Sequence, residues 1–249
     1  MSAKRITVEI AAHSVQSALA AQVGGAHRVE LFSDPLEGGV TPSEGLIAVV
    51  RDQLKIPLHV IIRPRGGDLC YSDEERDVMH RDIAVARRIG AEGVVLGVLN
   101  PQGSVNVELT RELVEAARPM SVTFHRAIDM CRDLSAALRD IIGSGADRVL
   151  TSGGAASACE GISVLKALVR EAGEQISVMA AGSIRSTNVR AVVEQTGVGE
   201  VHAGLRTAVP GPMLFQNETV WFGKVRSEFE RIIVREQDIR SLVEQTEGL

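Results

Sequence analysis

The stretch Gly145-Ala146-Asp147-Arg148-Val149-Leu150-Thr151-Ser152-Gly153-Gly154 holds the pattern that decides the fold: a glycine, small or charged residues, a short apolar run, then a glycine-rich turn. Its front half returns as Gly25-Ala26-His27-Arg28-Val29-Glu30-Leu31 and as Gly90-Ala91-Glu92-Gly93-Val94-Val95-Leu96. It returns more loosely as Gly197-Val198-Gly199-Glu200-Val201-His202. A glycine at such a junction ends a helix in the left-handed conformation, and the run behind it enters the next strand. Helix-to-strand returns of this kind, separated by amphipathic segments, indicate strand–helix units on a parallel sheet.

Extended along the chain, this reading predicts strands over 6–12, 28–32, 58–63, 93–99, 122–126, 148–152, 177–181 and 200–203. It predicts helices over 15–23, 43–53, 73–89, 107–117, 134–143, 156–172 and 187–194. Eight strands with intervening helices predict a single (β/α)8 TIM-type barrel, and 249 residues match the roughly 250 such a barrel needs. The barrel is expected over about 5–207. Val209-Pro210-Gly211-Pro212 reads as a loop, opening a C-terminal extension over about 208–249 with a charged amphipathic helix over 226–247 on the barrel's outside. No low-complexity linker divides the chain, so 1–249 is read as one domain.

Composition agrees. Hydrophobic residues make up 45% of the chain but aromatics only 3%, so Val, Ile, Leu and Ala must fill the core, as strands covered on both faces require. The net charge is −5 with no basic run, against a nucleic-acid binder. No apolar stretch reaches the roughly 18 residues of a membrane span. The first residues pass straight into a strand-like segment at 6–10, and the three cysteines, Cys70, Cys131 and Cys159, are odd in number and widely spaced. Together these predict a cytoplasmic chain without a disulfide framework, with Cys159 on a helix.

Strand alternation sorts the side chains. Thr7 and Glu9, then Glu30, then His59, Ile61 and Arg63, then Thr123 and His125, and finally His202 are expected inside; Val8, Ile10, Val29, Leu31, Val60, Ile62, Val122 and Phe124 face the helices. Burying unpaired charges is costly, so Glu9, Glu30, Arg63, His125 and His202 should form a paired network. Glu30, His125 and His202 are the candidate catalytic residues, with acid–base chemistry open to them. A structural Glu30–Arg63 pair is the alternative.

The loop Arg63-Pro64-Arg65-Gly66-Gly67-Asp68 offers two arginines that could clamp a carboxylate or phosphate, or simply hold the turn through Arg–Asp pairs. Small residues end strands six to eight at Ser152-Gly153-Gly154, Gly182-Ser183 and Ala203-Gly204, where backbone N–H groups could reach an anion. Glu9, Arg63, Arg65, Asp68, Arg126, Ser152, Gly182 and Ser183 form the candidate substrate-binding set. Glu37-Gly38-Gly39 with Thr41-Pro42-Ser43 reads as a turn leading to a Ser-capped helix. None of the four lysines, Lys4, Lys55, Lys166 and Lys224, ends a barrel strand, which disfavours a Schiff-base aldolase. Ligation of a hard metal by Glu9, Glu30, His125 and His202 stays open. Cys70, Met130 and Cys131 fall in loops on the working face, where soft ligands would suit Cu(I) or serve only as packing.

These segments resemble the copper homeostasis protein CutC family. The resemblance is carried by Arg28-Val29-Glu30-Leu31, Glu37-Gly38-Gly39, Ile62-Arg63-Pro64-Arg65-Gly66-Gly67-Asp68, Cys70-Tyr71-Ser72-Asp73, Val122-Thr123-Phe124-His125-Arg126-Ala127 with Asp129-Met130, and Arg148-Val149-Leu150-Thr151-Ser152-Gly153. It implies a cytoplasmic barrel, a homo-oligomer with a dimer expected, association with copper tolerance and, in some members, Cu(I) bound by cysteines. Ala11, Ala12 and Phe32 stand where family members can carry cysteines, and Ser183 where a glycine is common. Two functions are therefore expected: a copper-handling protein binding Cu(I) through Cys70, Met130 and Cys131, or a lyase, isomerase or hydrolase on a small phosphate- or carboxylate-bearing substrate.

Overall fold

In the computed structural model of the chain, residues 5–220, 222 and 228–249 are described. Eight parallel strands, β1 (Thr7–Ala12), β2 (Arg28–Leu31), β3 (Leu58–Ile61), β4 (Gly93–Leu96), β5 (Ser121–Phe124), β6 (Arg148–Thr151), β7 (Ser177–Ala180) and β8 (Glu200–Ala203), close in sequential order. The seam pairs β8 with β1, setting Glu9 opposite His202. Between strands run α1 (Val15–Val23), α2 (Glu44–Gln53), α3 (Asp73–Ile89), α4 (Val107–Ala117), α5 (Leu134–Gly143), α6 (Ile162–Ala172) and α7 (Val189–Thr196).

The junction glycines behave as read: Gly25, Gly90, Gly145 and Gly197 all hold positive φ. Side chains start the helices. Ser43 accepts from Leu46 N, Ser72 and Glu75 form a reciprocal capping box, and Asn106 and Asp133 cap α4 and α5. Alternation also holds. Val8, Ile10, Val29, Leu31, Val60 and Phe124 join one large core between sheet and helices, while Ala11, Phe32, Ile61 and Val95 form a separate cluster within the barrel.

Several local expectations change. The helix expected over 156–172 begins at Ile162, and Cys159 sits exposed in the turn before it. Gly161 cannot carry a side chain there, since a Cβ would fall 1.8 Å from the Ser152 carbonyl oxygen. Residues 126–130, expected as strand end and loop, form a 3-10 turn.

The C-terminal region departs most. The Val209-Pro210 loop lies within β9 (Arg206–Pro210), which pairs antiparallel with β10 (Glu230–Val234). The helix expected over 226–247 is instead this strand followed by α8 (Glu236–Glu244); residues 226 and 227 lie outside the described set. The β-branched Ile232-Ile233-Val234 run favours strand. α8 is no external appendage either. Ile239 and Leu242 are buried, Ile239 packs where Gly24 of α1 has no side chain, and Arg190 of α7 donates to the Glu247 carbonyl beyond α8. It is the eighth helix of the ring, displaced along the chain by the β9–β10 ribbon. No helix among the described residues is long and apolar enough to cross a membrane.

Candidate functional site

A charged layer fills the barrel below its mouth. Arg28 bonds Glu9 and Glu200, Arg148 Nε donates to Glu200 at 2.7 Å, and Ser177 Oγ donates to the other Glu200 oxygen at 2.7 Å. His59 lies in the same layer, and burial drives it down to about 3, leaving it neutral. It fits because Gly93 has no side chain: a Cβ there would stand 2.5 Å from its Nε2. Paired charges of this kind satisfy one another inside a low-dielectric interior.

Above this layer, at the C-terminal ends of the strands, opens a cavity of about 880 Å³. Glu30 and His202 line it. His202 Nδ1 lies 2.7 Å from Glu9 Oε1 and 3.3 Å from Glu30 Oε2. The two carboxylates titrate in opposite directions. Burial penalises the charge on Glu9, but Arg28 and His202 outweigh it and hold Glu9 well below the usual carboxylate range. Glu30 has no guanidinium bond among the described residues; burial first, with Glu9 adding and His202 opposing, pushes it up to about 7. Burial would lower His202, yet Glu30 and Glu9 raise it above its ordinary value.

His125 lines the same cavity and behaves differently. Its Nδ1 accepts from Ala127 N at 3.2 Å, so the ring proton belongs on Nε2, which has no partner among the described residues. Burial, then the Arg63 charge, lowers it to about 4, so it is a neutral donor at pH 7. Gly97 makes room for the ring, since a Cβ there would stand 2.5 Å from it.

The expected anion clamp is not assembled. Arg63 forms no pair with Glu30; its guanidinium donates to the carbonyls of Glu37, Gly39 and Gly67 at 2.8–3.1 Å. The Glu37-Gly38-Gly39 turn thus serves to seat Arg63. Arg65 faces the loop exterior, bonded to Glu75 and Asp68 and stacked 5.3 Å from the Tyr71 ring centre. Of that loop, Arg63 and Asp68 line the cavity and Arg65 does not. The glycine turn after β6 is also filled from within: Asp129 accepts from Ser152 N, Gly154 N, Thr151 Oγ1 and Ser152 Oγ. Arg126 is tied to Asp129 and Ser152.

Nor do the soft ligands converge. Cys70 and the largely exposed Met130 line the cavity. Cys131 is buried in the outer core, its Sγ donating to the Ala127 carbonyl at 3.6 Å, and burial pushes the thiol up to about 11. A thiol so placed does not fit a Cu(I) thiolate. Ligand atoms of Glu9, Glu30 and His202 do lie within 4.8 Å of one another. Both Glu9 oxygens are taken, by Arg28 and by His202, so the cationic role is already filled by guanidinium and proton.

Arg28, Arg148, Glu200, Arg185 and Arg206 were not foreseen. Alternation carried the signal for Arg28 and Glu200, each two residues before an identified inward residue. Arg206 follows the last barrel strand, on no predicted element, yet it lines the cavity with Arg185.

These features define a (β/α)8 barrel with a polar, acid–base-equipped cavity at its mouth. The sequence pattern of the CutC family matches residues 6–207, and the chain belongs to that family. It is 52% identical over 202 residues to a CutC family protein of Xanthomonas campestris pv. campestris, covering 81% of this chain and 84% of that one. It is 43% identical over 244 residues to one from Bacteroides fragilis, covering 97% of each. A solved CutC structure from Streptococcus agalactiae, bearing the name copper homeostasis protein, superposes with a TM-score of 0.76 at 30% identity over 79% of this chain and 97% of that one.

Proposed function

We propose that this CutC family member is an acid–base enzyme that moves a proton on a small anionic substrate held in the barrel mouth, as a lyase or isomerase does. The observation that carries this reading is Glu30: a buried carboxyl on the cavity lining, raised to about 7, beside a second carboxyl that stays charged. Environments that push two titratable groups apart are how one site holds acid and base at neutral pH. Glu30 is the base and His202 shares and relays its proton. His125 is the neutral donor: Nε2–H lacks a partner, and a substrate oxygen would supply one. Fold likeness alone supports no chemistry.

Copper homeostasis, the name carried by the streptococcal relative, supplies a second reading: Cu(I) as cargo. In its favour, Cys70 and Met130 line the cavity; against it, Cys131 faces the outer core.

Proton exchange in D2O separates the two. The protein is incubated with a panel of small sugar phosphates and carbonyl acids, and loss of substrate C–H signal is followed by NMR. Exchange should fall by about a hundredfold or more in Glu30→Gln and stay unchanged in Cys131→Ser. Full exchange in Glu30→Gln would overturn the enzyme reading. A Cu(I) affinity that survives competing chelators and is lost in Cys70→Ser, with no exchange across the panel, would establish the other.

A further inference from the structure

Three guanidiniums on the cavity lining, those of Arg63, Arg185 and Arg206, have no carboxylate partner among the described residues. Arg63 gives both terminal nitrogens to carbonyls, although its Nε has no hydrogen-bond partner among the described residues. Arg185 and Arg206 do not: each gives one nitrogen to a carbonyl, Ile184 O at 2.8 Å and Pro35 O at 2.6 Å, and keeps its other donors. Phe32 supports Arg206, its ring centre 5.7 Å from the guanidinium carbon. The two arginines repel, since burial and then the Arg185 charge lower Arg206 below its ordinary value. Glu30 acts on Arg206 only at a distance, and two like charges with no carboxylate in ion-pair contact among the described residues make a place for an anion.

The backbone beside them is free as well. Gly182 and Ser183 follow β7, and Gly204 and Leu205 follow β8; all four line the cavity. Their N–H groups donate to nothing among the described residues. Ser183 and Leu205 hold φ of 56° and 44°, left-handed conformations that side chains tolerate poorly. Strain of this kind, held at two adjacent strand ends, marks functional backbone. The nest after β6, by contrast, is closed by Asp129.

From these observations we infer that the loops after β7 and β8 seat the phosphate of a phosphomonoester, through the N–H groups of Gly182, Ser183, Gly204 and Leu205 and the guanidiniums of Arg185 and Arg206. The number of the donors selects phosphate over carboxylate. Two loops and two guanidiniums on the lining of one cavity offer more donors than a planar carboxylate's roughly four acceptor sites can use. A phosphomonoester presents three terminal oxygens and a charge of about −1.5 to −2 at pH 7, which answers two unpaired arginines. The inference rests on the acid–base reading only for the reacting end of the substrate, which extends along the cavity to Glu30 and His125.

Calorimetric titration of the full chain tests it, with inorganic phosphate, glycerol phosphate and acetate as probes. Glycerol phosphate should bind more tightly than inorganic phosphate, and acetate about tenfold or more weaker than either. Arg206→Gln and Arg185→Gln should each weaken phosphate binding by about tenfold or more, with Arg206→Lys recovering part. Arg185 is exposed, so its variant folds even if the Arg206 variants do not. Glu30→Gln should keep phosphate affinity or tighten it, by removing a nearby negative charge. Equal affinity in the wild type and Arg185→Gln, acetate binding as tight as phosphate, or glycerol phosphate no tighter than the free ion would each overturn the assignment. Loss of proton exchange in Glu30→Gln with phosphate binding retained confirms both readings; binding without exchange in the wild type removes only the enzyme.

Discussion

At the scale of single residues, Glu9 and Glu30 show how neighbours, rather than side-chain chemistry, decide a carboxyl's state. Both are buried, but only Glu9 meets a guanidinium. Arg206 is among the charges that lower Glu30, so Arg206→Gln should move the Glu30 midpoint above 7, as read by carboxyl 13C NMR. Linkage gives a second readout. A carboxyl raised in the fold contributes stability fully below its unfolded value of 4.5 and loses it as pH rises toward 7. His125 and His59, both lowered, act oppositely: their contribution is lost as pH falls below 6.5 toward about 4 and 3. Glu30→Gln should therefore leave unfolding free energy rising more steeply with pH between 4.5 and 7, by up to roughly 3 kcal/mol in urea denaturation across that window.

At the scale of elements, β4 matters for what it lacks. Gly93 and the following Gly97 leave the space that the His59 and His125 rings occupy. Gly97→Ala drives a methyl group into His125 and Ala127, with an expected cost of about 1–3 kcal/mol and a displaced His125 Nε2 resonance in 15N NMR. An unshifted resonance would show that the ring is held by something other than this gap. The two loops that looked like anion seats, after β3 and β6, are instead bound by their own groups. Arg63 satisfies three carbonyls and Asp129 fills the backbone nest. A short motif cannot reveal that its donors are already used, because the acceptors come from other loops.

At the scale of the molecule, closure of the ring depends on the last sixteen residues. Val234, Ile239 and Leu242 are nearly or fully buried against α1 and its neighbours. At about 1.5–3 kcal/mol for each buried aliphatic side chain, their loss rivals the roughly 5–15 kcal/mol that holds a domain folded. A chain ending at 233 should therefore lose its cooperative thermal transition and bind a hydrophobic dye. A sharp transition near the full-length midpoint would show that the helix is dispensable.

Periodicity alone was enough to establish eight strands and part of their inward set, Glu30, His125 and His202 included, since alternation and glycine junctions are local rules. The closed ring decided the rest. Only there does β1 meet β8, bringing Glu9 and Glu30 to His202 from residues nearly two hundred positions apart. Only there does a ribbon beyond the last barrel strand return Arg206 to the cavity. Which charges are paired, and which arginines remain free for a ligand, depends on distances through space that no spacing along the chain encodes.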